Sequence, residues 1–211
     1  MATILLTGFG GFPGAPVNPS GDLARKLARI RRPAFANSKR IAHVFATSYA
    51  AVDRDLPALI ARHRPDAIVM FGLASRTKPI RIETQARNRL LVLFPDATGF
   101  RPRAQTIRMP GPARLRGRAA FSRLLAAARG HGVDAALSRN AGSYVCNYSY
   151  WRAIEEAPSR DGPIIVFIHV PKVRGRARRS HSKPRAPLLS DLGKAAEAIL
   201  AAIVGRLQLP R

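Results

Sequence analysis

Three things are scarce in this chain: cysteine, acidic residues and long apolar runs. Cysteine occurs once in 211 residues. That excludes an intramolecular disulfide framework and a Cys-rich zinc site. No apolar stretch reaches the length of a membrane-spanning helix. The opening residues Met1-Ala2-Thr3-Ile4-Leu5-Leu6 have no basic segment and no long apolar segment, so they do not read as a secretory signal. A reducing cytoplasm is the expected location, and there the sequon-like Asn147-Tyr148-Ser149 has no glycosylation meaning. Acidic residues number 12 against 36 Lys plus Arg, a formal charge of +24. Such a charge invites a nucleic-acid reading. However, the basic residues are mostly Arg and are scattered through every helical stretch. Their one dense cluster runs from Lys172 to Arg185. It carries Gly and Ser but no aromatic residue, so residues 172–187 read as a flexible loop. Such a loop attracts polyanions by counterion release. It offers no stacking platform, so no specific nucleic-acid recognition is expected.

Hydrophobic residues make up 46% of the chain, enough for a substantial core. No repeat or linker divides residues 1–211, which read as a single domain. Continuous apolar runs alternate with amphipathic stretches. Ile4–Thr7 reads as a strand ended by Gly8, Ile41–Thr47 as a second, Ala67–Phe71 as a third ended by Gly72. Ala135–Leu137 is a short strand, and Ile164–Ile168 is the most apolar of all. Between them lie helical patterns: one capped by Ser20, one near or kinked at Pro57, and one from Phe121 with Gly132 near its C-cap. Another begins near Val145, and the last is capped by Ser190 or Asp191. Leu90–Phe94 reads as a strand or an oligomer contact, and 95–113 as loop. Buried strands alternating with helices predict a three-layer α/β/α sandwich with a mostly parallel sheet. Its chemistry is expected beyond the carboxyl ends of the strands.

After the first strand comes Gly8-Phe9-Gly10-Gly11-Phe12-Pro13-Gly14. Pro13 stands where a dinucleotide fingerprint needs its third glycine, so nucleotide binding is not indicated. Phe9 and Phe12, exposed on a glycine loop, read as the wall of an apolar pocket; the alternative is that they fold back into the core. The single cysteine, Cys146, falls at a helix start, where free N–H groups and the macrodipole favour a thiolate and an oxyanion. A lone cysteine is more often a small buried hydrophobe. His169 ends the most apolar strand, where a general base for a thiol would stand. A carboxylate should orient the imidazole; Glu83 is the first choice and Asp96 its rival.

These segments together resemble pyroglutamyl peptidase I, the pyrrolidone carboxyl peptidase family of cysteine peptidases, over nearly the whole chain. Four motifs carry the resemblance: Thr7-Gly8-Phe9 with Phe12 and Asn18-Pro19-Ser20; Gly72-Leu73-Ala74 with Arg76, Glu83 and Asn88; Ala141-Gly142 with Val145-Cys146-Asn147; and Phe167-Ile168-His169-Val170-Pro171. The resemblance implies an α/β/α fold and removal of N-terminal pyroglutamyl residues from peptides, with no metal or cofactor. Cys146 would be the nucleophile, His169 the general acid and base, and Glu83 the orienter. Phe9 and Phe12 would line the pocket, Asn18 would brace its loop, and groups near Tyr144 and Val145 would complete it. Family members often form dimers or tetramers, and Leu90–Phe94 would be a contact. Some family positions differ. Thr84 stands where an arginine usually follows the glutamate, Leu93 replaces a second arginine, Leu73 replaces a polar residue, and the basic loop follows Pro171. Arg87 or Arg76 would supply a replacement positive charge. These changes leave the triad whole and fall on the oxyanion side and the substrate range. Two other readings stay open: a cysteine amidohydrolase for another small N-acyl substrate, and a basic module that binds polyanions.

Overall fold

The computed structural model describes residues 1–157, 162–173 and 187–209; most of the basic 172–187 stretch lies outside the described residues. Six strands form the central sheet in the order β2-β1-β3-β8-β4-β7. They are β1 (Ala2–Phe9), β2 (Ser38–Phe45), β3 (Ala67–Leu73), β4 (Ile80–Glu83), β7 (Ala135–Ser138) and β8 (Ile164–Val170). A small antiparallel pair joins β5 (Gln85–Arg87) to β6 (Arg114–Arg116). β1, β2, β3 and β8 run parallel. β4 is antiparallel to β8 and parallel to β7, so the last two strands run the other way.

Both faces are covered. Leu23 and Leu27 of α1 (Pro19–Arg29), Leu124 and Ala128 of α3 (Phe121–Arg129), and Ile199 and Ile203 of α5 (Leu189–Gln208) close one face. Val52 and Leu56 of α2 (Tyr49–His63) pack with Val145, Tyr150 and Trp151 of α4 (Val145–Glu156) on the other. This is the three-layer arrangement that the alternating pattern predicts.

Several boundaries differ from the sequence expectation. β1 runs through Gly8 to Phe9, because Gly8 keeps its register with Val44. A Cβ at Gly8 would stand 2.3 Å from the Ser20 carbonyl oxygen, so glycine there lets α1 approach the strand. β2 starts earlier, at polar Ser38, which an edge strand tolerates. Pro57 lies inside α2, and the helix is capped by the Ser48 hydroxyl, which accepts from Ala51 N at 3.2 Å. α3 ends at Gly130 rather than Gly132. Leu188, not Ser190 or Asp191, is the N-cap of α5; Asp191 is its N3 residue and accepts from Leu188 N at 3.3 Å. Leu90–Phe94 is not a strand. Its Leu91 N–H donates to the Ser143 carbonyl, pinning this loop beside the start of α4.

Candidate active site

Strand register places the acid and the base. In the β4–β8 pair Arg81 stands opposite His169 and Glu83 opposite Phe167. In the β3–β8 pair Gly72 stands beside His169. Side chains two residues apart on a strand share a face. Arg81, Glu83, Phe167, His169 and the bare Gly72 therefore all look towards α4. His169 lies within β8 rather than just past it, and Glu83 ends β4. The site consequently sits on a face of the sheet near its carboxyl edge, because the acid's strand runs against the base's.

His169 Nδ1 and Glu83 Oε1 are 2.9 Å apart, and both residues are buried. A carboxylate can only accept, so Nδ1–H donates, and in the neutral imidazole the lone pair then sits on Nε2. The Phe167 ring packs against the imidazole at a tilt of 55°, ring centroids 4.8 Å apart. Asp96, the rival acid, has a structural task instead. Its carboxylate accepts from the N–H groups of Tyr49, Thr98 and Phe100. Burial pushes the Asp96 carboxyl up, but those hydrogen bonds outweigh it and hold the group below its ordinary value.

Cys146 is the second residue of α4. Its Sγ lies only 2.8 Å from where a Gly72 Cβ would stand, so the thiol reaches the sheet through the space that glycine leaves. Tyr144, the N-cap, makes no side-chain hydrogen bond to the helix start. Among the described residues no side chain caps the start of α4, so its first N–H groups can serve a negative oxygen at the sulfur. Asn147 anchors this turn: its side chain accepts from Arg87 N and donates to the Arg87 and Arg89 carbonyls. Its place beside Cys146 in the nucleophile motif is visible in the sequence; this clamp is a product of the tertiary fold.

The expected low-pKa thiolate is not what this geometry favours. Burial pushes the Cys146 thiol up to about 12, the Glu83 carboxylate adds to the rise, and a hydrogen bond at its own backbone only partly opposes it. Among the described residues no hydrogen bond joins the thiol to the imidazole. The helix N-terminus does not outweigh desolvation here.

The expected pocket residues divide. Phe12 is partly buried and faces Tyr144, ring centroids 6.2 Å apart. Phe9 is 1% exposed and packs under the loop against Phe45, so it is a core residue rather than an exposed wall. Phe9 folds inward because β1 continues through it. Asn18 braces the loop: it donates to the Gly10 carbonyl at 3.1 Å and accepts from both the backbone N–H and the hydroxyl of Ser20. Tyr144 donates to the Pro95 carbonyl at 2.8 Å, and Val145 is buried. Sequence reasoning missed Tyr49, which packs edge-on against Tyr144.

Arg76 is exposed, and neither it nor Arg87 pairs with Glu83 among the described residues. Arg87 reaches the Asn140 side chain. Leu93, at the other usual arginine position, is 70% exposed. The cation at the carboxylate is Arg81, whose Nη2 lies 3.0 Å from Glu83 Oε1. Strand alternation is the signal that could have found it, since Arg81 and Glu83 are two apart.

A family model for pyroglutamyl peptidase matches residues 2–208. The chain belongs to the pyroglutamyl peptidase family. This is a family of cysteine peptidases that remove N-terminal pyroglutamate. Similar proteins include the pyrrolidone-carboxylate peptidase of Gloeobacter violaceus, 34% identical over 90% of this chain and 91% of that one. The Bacillus subtilis pyrrolidone-carboxylate peptidase is also 34% identical, over 81% of this chain and 78% of its own. The crystal structure of Bacillus amyloliquefaciens pyroglutamyl peptidase I superposes with a TM-score of 0.84, at 25% identity, over 97% of this chain and 98% of that one.

Proposed function

We propose that this protein hydrolyses the bond after an N-terminal pyroglutamyl residue, with Cys146 as nucleophile, His169 as general base and acid, and Glu83 as orienter. The observation that carries this reading is the buried His169–Glu83 pair at 2.9 Å on the sheet face where Cys146 Sγ fills the space at Gly72. The raised thiol makes proton transfer part of the attack rather than a preceding step. His169 Nε2 takes the thiol proton as the sulfur bonds to the pyroglutamyl carbonyl carbon. The carbonyl oxygen becomes negative beside the free N–H groups at the start of α4. The C–N bond then breaks as the imidazolium gives its proton to the departing amine. Water attacks the thioester with Nε2 as base, pyroglutamate leaves, and the thiol regains its proton. No cofactor enters these steps.

The lactam is small, flat and uncharged. Phe12 and Tyr144 offer it apolar walls, main-chain groups near Tyr144 and Val145 complete the pocket, Asn18 holds the loop that carries Phe12, and Phe9 supports that loop from below. A reducing cytoplasm would keep the thiol free. Leu93 and Phe94, 70% and 63% exposed, are the proposed contact of a homodimer or homotetramer. The test of the reading is a panel of N-acyl aminomethylcoumarins. Pyroglutamyl release well above acetyl or prolyl release is expected; preference for another acyl group would point to the amidohydrolase reading.

A further inference from the structure

Arg81 is partly exposed, yet its Nη2 is enclosed by three oxygens. It lies 3.0 Å from Glu83 Oε1 and 2.6 Å from Ser138 Oγ, and it also donates to the Asn140 carbonyl. Glu83 Oε1 is the same oxygen that accepts from His169 Nδ1, while the buried Oε2 has no hydrogen-bond partner among the described residues. The wholly buried carboxylate is therefore balanced at one oxygen only, by an imidazole and a guanidinium. Among the described residues, the guanidinium is the one permanent cation paired with the Glu83 carboxylate. The same nitrogen ties β4 to the Ser138–Asn140 turn that leads into Cys146.

We propose that Arg81 is a positioning residue of the hydrolysis: it fixes the Glu83 carboxylate for His169 and joins that acid to the turn before the nucleophile. The proposal rests on the triad reading of Cys146, His169 and Glu83. The guanidinium charge, held by Ser138 and Asn140, stands 3.0 Å from the shared oxygen and draws the carboxylate towards one orientation. It also weakens that carboxylate's pull on an imidazolium and so helps His169 release its proton to the leaving amine. The groups facing this centre are Arg81 from β4, and Cys146 and Tyr150 from α4, whose phenol donates to the Glu83 carbonyl. Tyr49 and Tyr144 lie beyond the sulfur, β3 contributes uncharged Gly72 and Met70, and β7 contributes Ser138.

The test uses pyroglutamyl-aminomethylcoumarin hydrolysis across pH. Arg81→Met is expected to lower kcat about 10- to 100-fold with KM within about twofold, the scale of a misplaced catalytic group. Loss of a cation makes every neighbouring group harder to deprotonate, so both limbs of the kcat/KM profile should move to higher pH, by about one unit. Arg81→Lys, whose ammonium can serve the same three oxygens, should recover most of kcat and the parental profile. In a Glu83→Gln background Arg81→Met should change kcat less than about threefold, since Arg81 acts through that carboxylate. Should Arg81→Met not fold, Glu83→Gln must restore folding by removing the uncompensated charge; failure to restore it overturns the proposal. So does an active Arg81→Met protein with parental kcat and parental profile. A parental protein inactive on every member of the N-acyl aminomethylcoumarin panel would instead overturn the triad reading, and this proposal with it.

Discussion

Gly72→Ala is the perturbation whose consequence the structure makes most quantitative. A Cβ at Gly72 would meet Phe167 Cζ at 2.7 Å, Cys146 Sγ at 2.8 Å and Phe167 Cε1 at 2.9 Å. Ordinary contacts between such atoms lie at about 3.5–4 Å. The sulfur must therefore retreat by about 1 Å, and the Phe167 ring by a similar amount. Neither move is free. Cys146 is held in a helix anchored through Asn147, and Phe167 packs against His169 and Tyr150. Overpacking of this kind costs about 1–3 kcal/mol of stability. Its effect on turnover should be larger, because a displacement of about 1 Å between reacting groups costs about 100-fold. The assay is kcat/KM for pyroglutamyl-aminomethylcoumarin beside a thermal melt. A folded Gly72→Ala protein with kcat/KM reduced by about two orders of magnitude is expected. A folded variant within about threefold of the parent would refute the placement of the sulfur against the sheet.

Other outcomes follow from the same geometry. His169→Ala should abolish hydrolysis, whereas His63→Ala and His131→Ala, on positions remote from Glu83, should leave it within about twofold; equal losses in all three would count against the assignment. The raised thiol sets the sign of a pH experiment: burial favours the neutral form, so iodoacetamide should label Cys146 slowly at neutral pH and faster as pH climbs towards 12. A labelling midpoint below the ordinary thiol value of about 8.5 would contradict that. The loops around the site expose Arg76, Lys78, Arg89, Arg139 and Lys172, while Glu83 and Asp96 are buried. Pyroglutamyl peptides with an acidic second residue should therefore react faster than basic ones at low salt, and the difference should shrink as salt rises. A salt-independent ratio near one would remove electrostatic steering from the account.

How far the sequence reached depends on what each residue reports. Ile164–Ile168 and Ala67–Phe71 are strands buried on both faces, so their apolar runs leave little choice and the structure keeps them within β8 and β3. The helix start at Cys146 was legible from the glycine turn before it. Strand direction was not: nothing in Ile80–Glu83 or Ala135–Ser138 says that these strands run against β8. That reversal brings Arg81 opposite His169, which is why a cation was sought at Arg87 and Arg76 instead. Phe9 was read as exposed because Gly8 was taken to end its strand, when Gly8 instead lets a helix pack closely. The helix start and the nearby His169 argue for an acidic thiol. Desolvation and the proximity of Glu83 depend on the tertiary fold, and they reverse that expectation.

The central claim is that Cys146 forms and releases a pyroglutamyl thioester. It is tested most directly by pyroglutamyl-aminomethylcoumarin hydrolysis by the reduced parental protein, with and without iodoacetamide, beside folded Cys146→Ala. The account predicts coumarin release that prolonged iodoacetamide treatment abolishes and that Cys146→Ala lacks. Release that persists in Cys146→Ala, or no release from the folded, reduced parent, would contradict it.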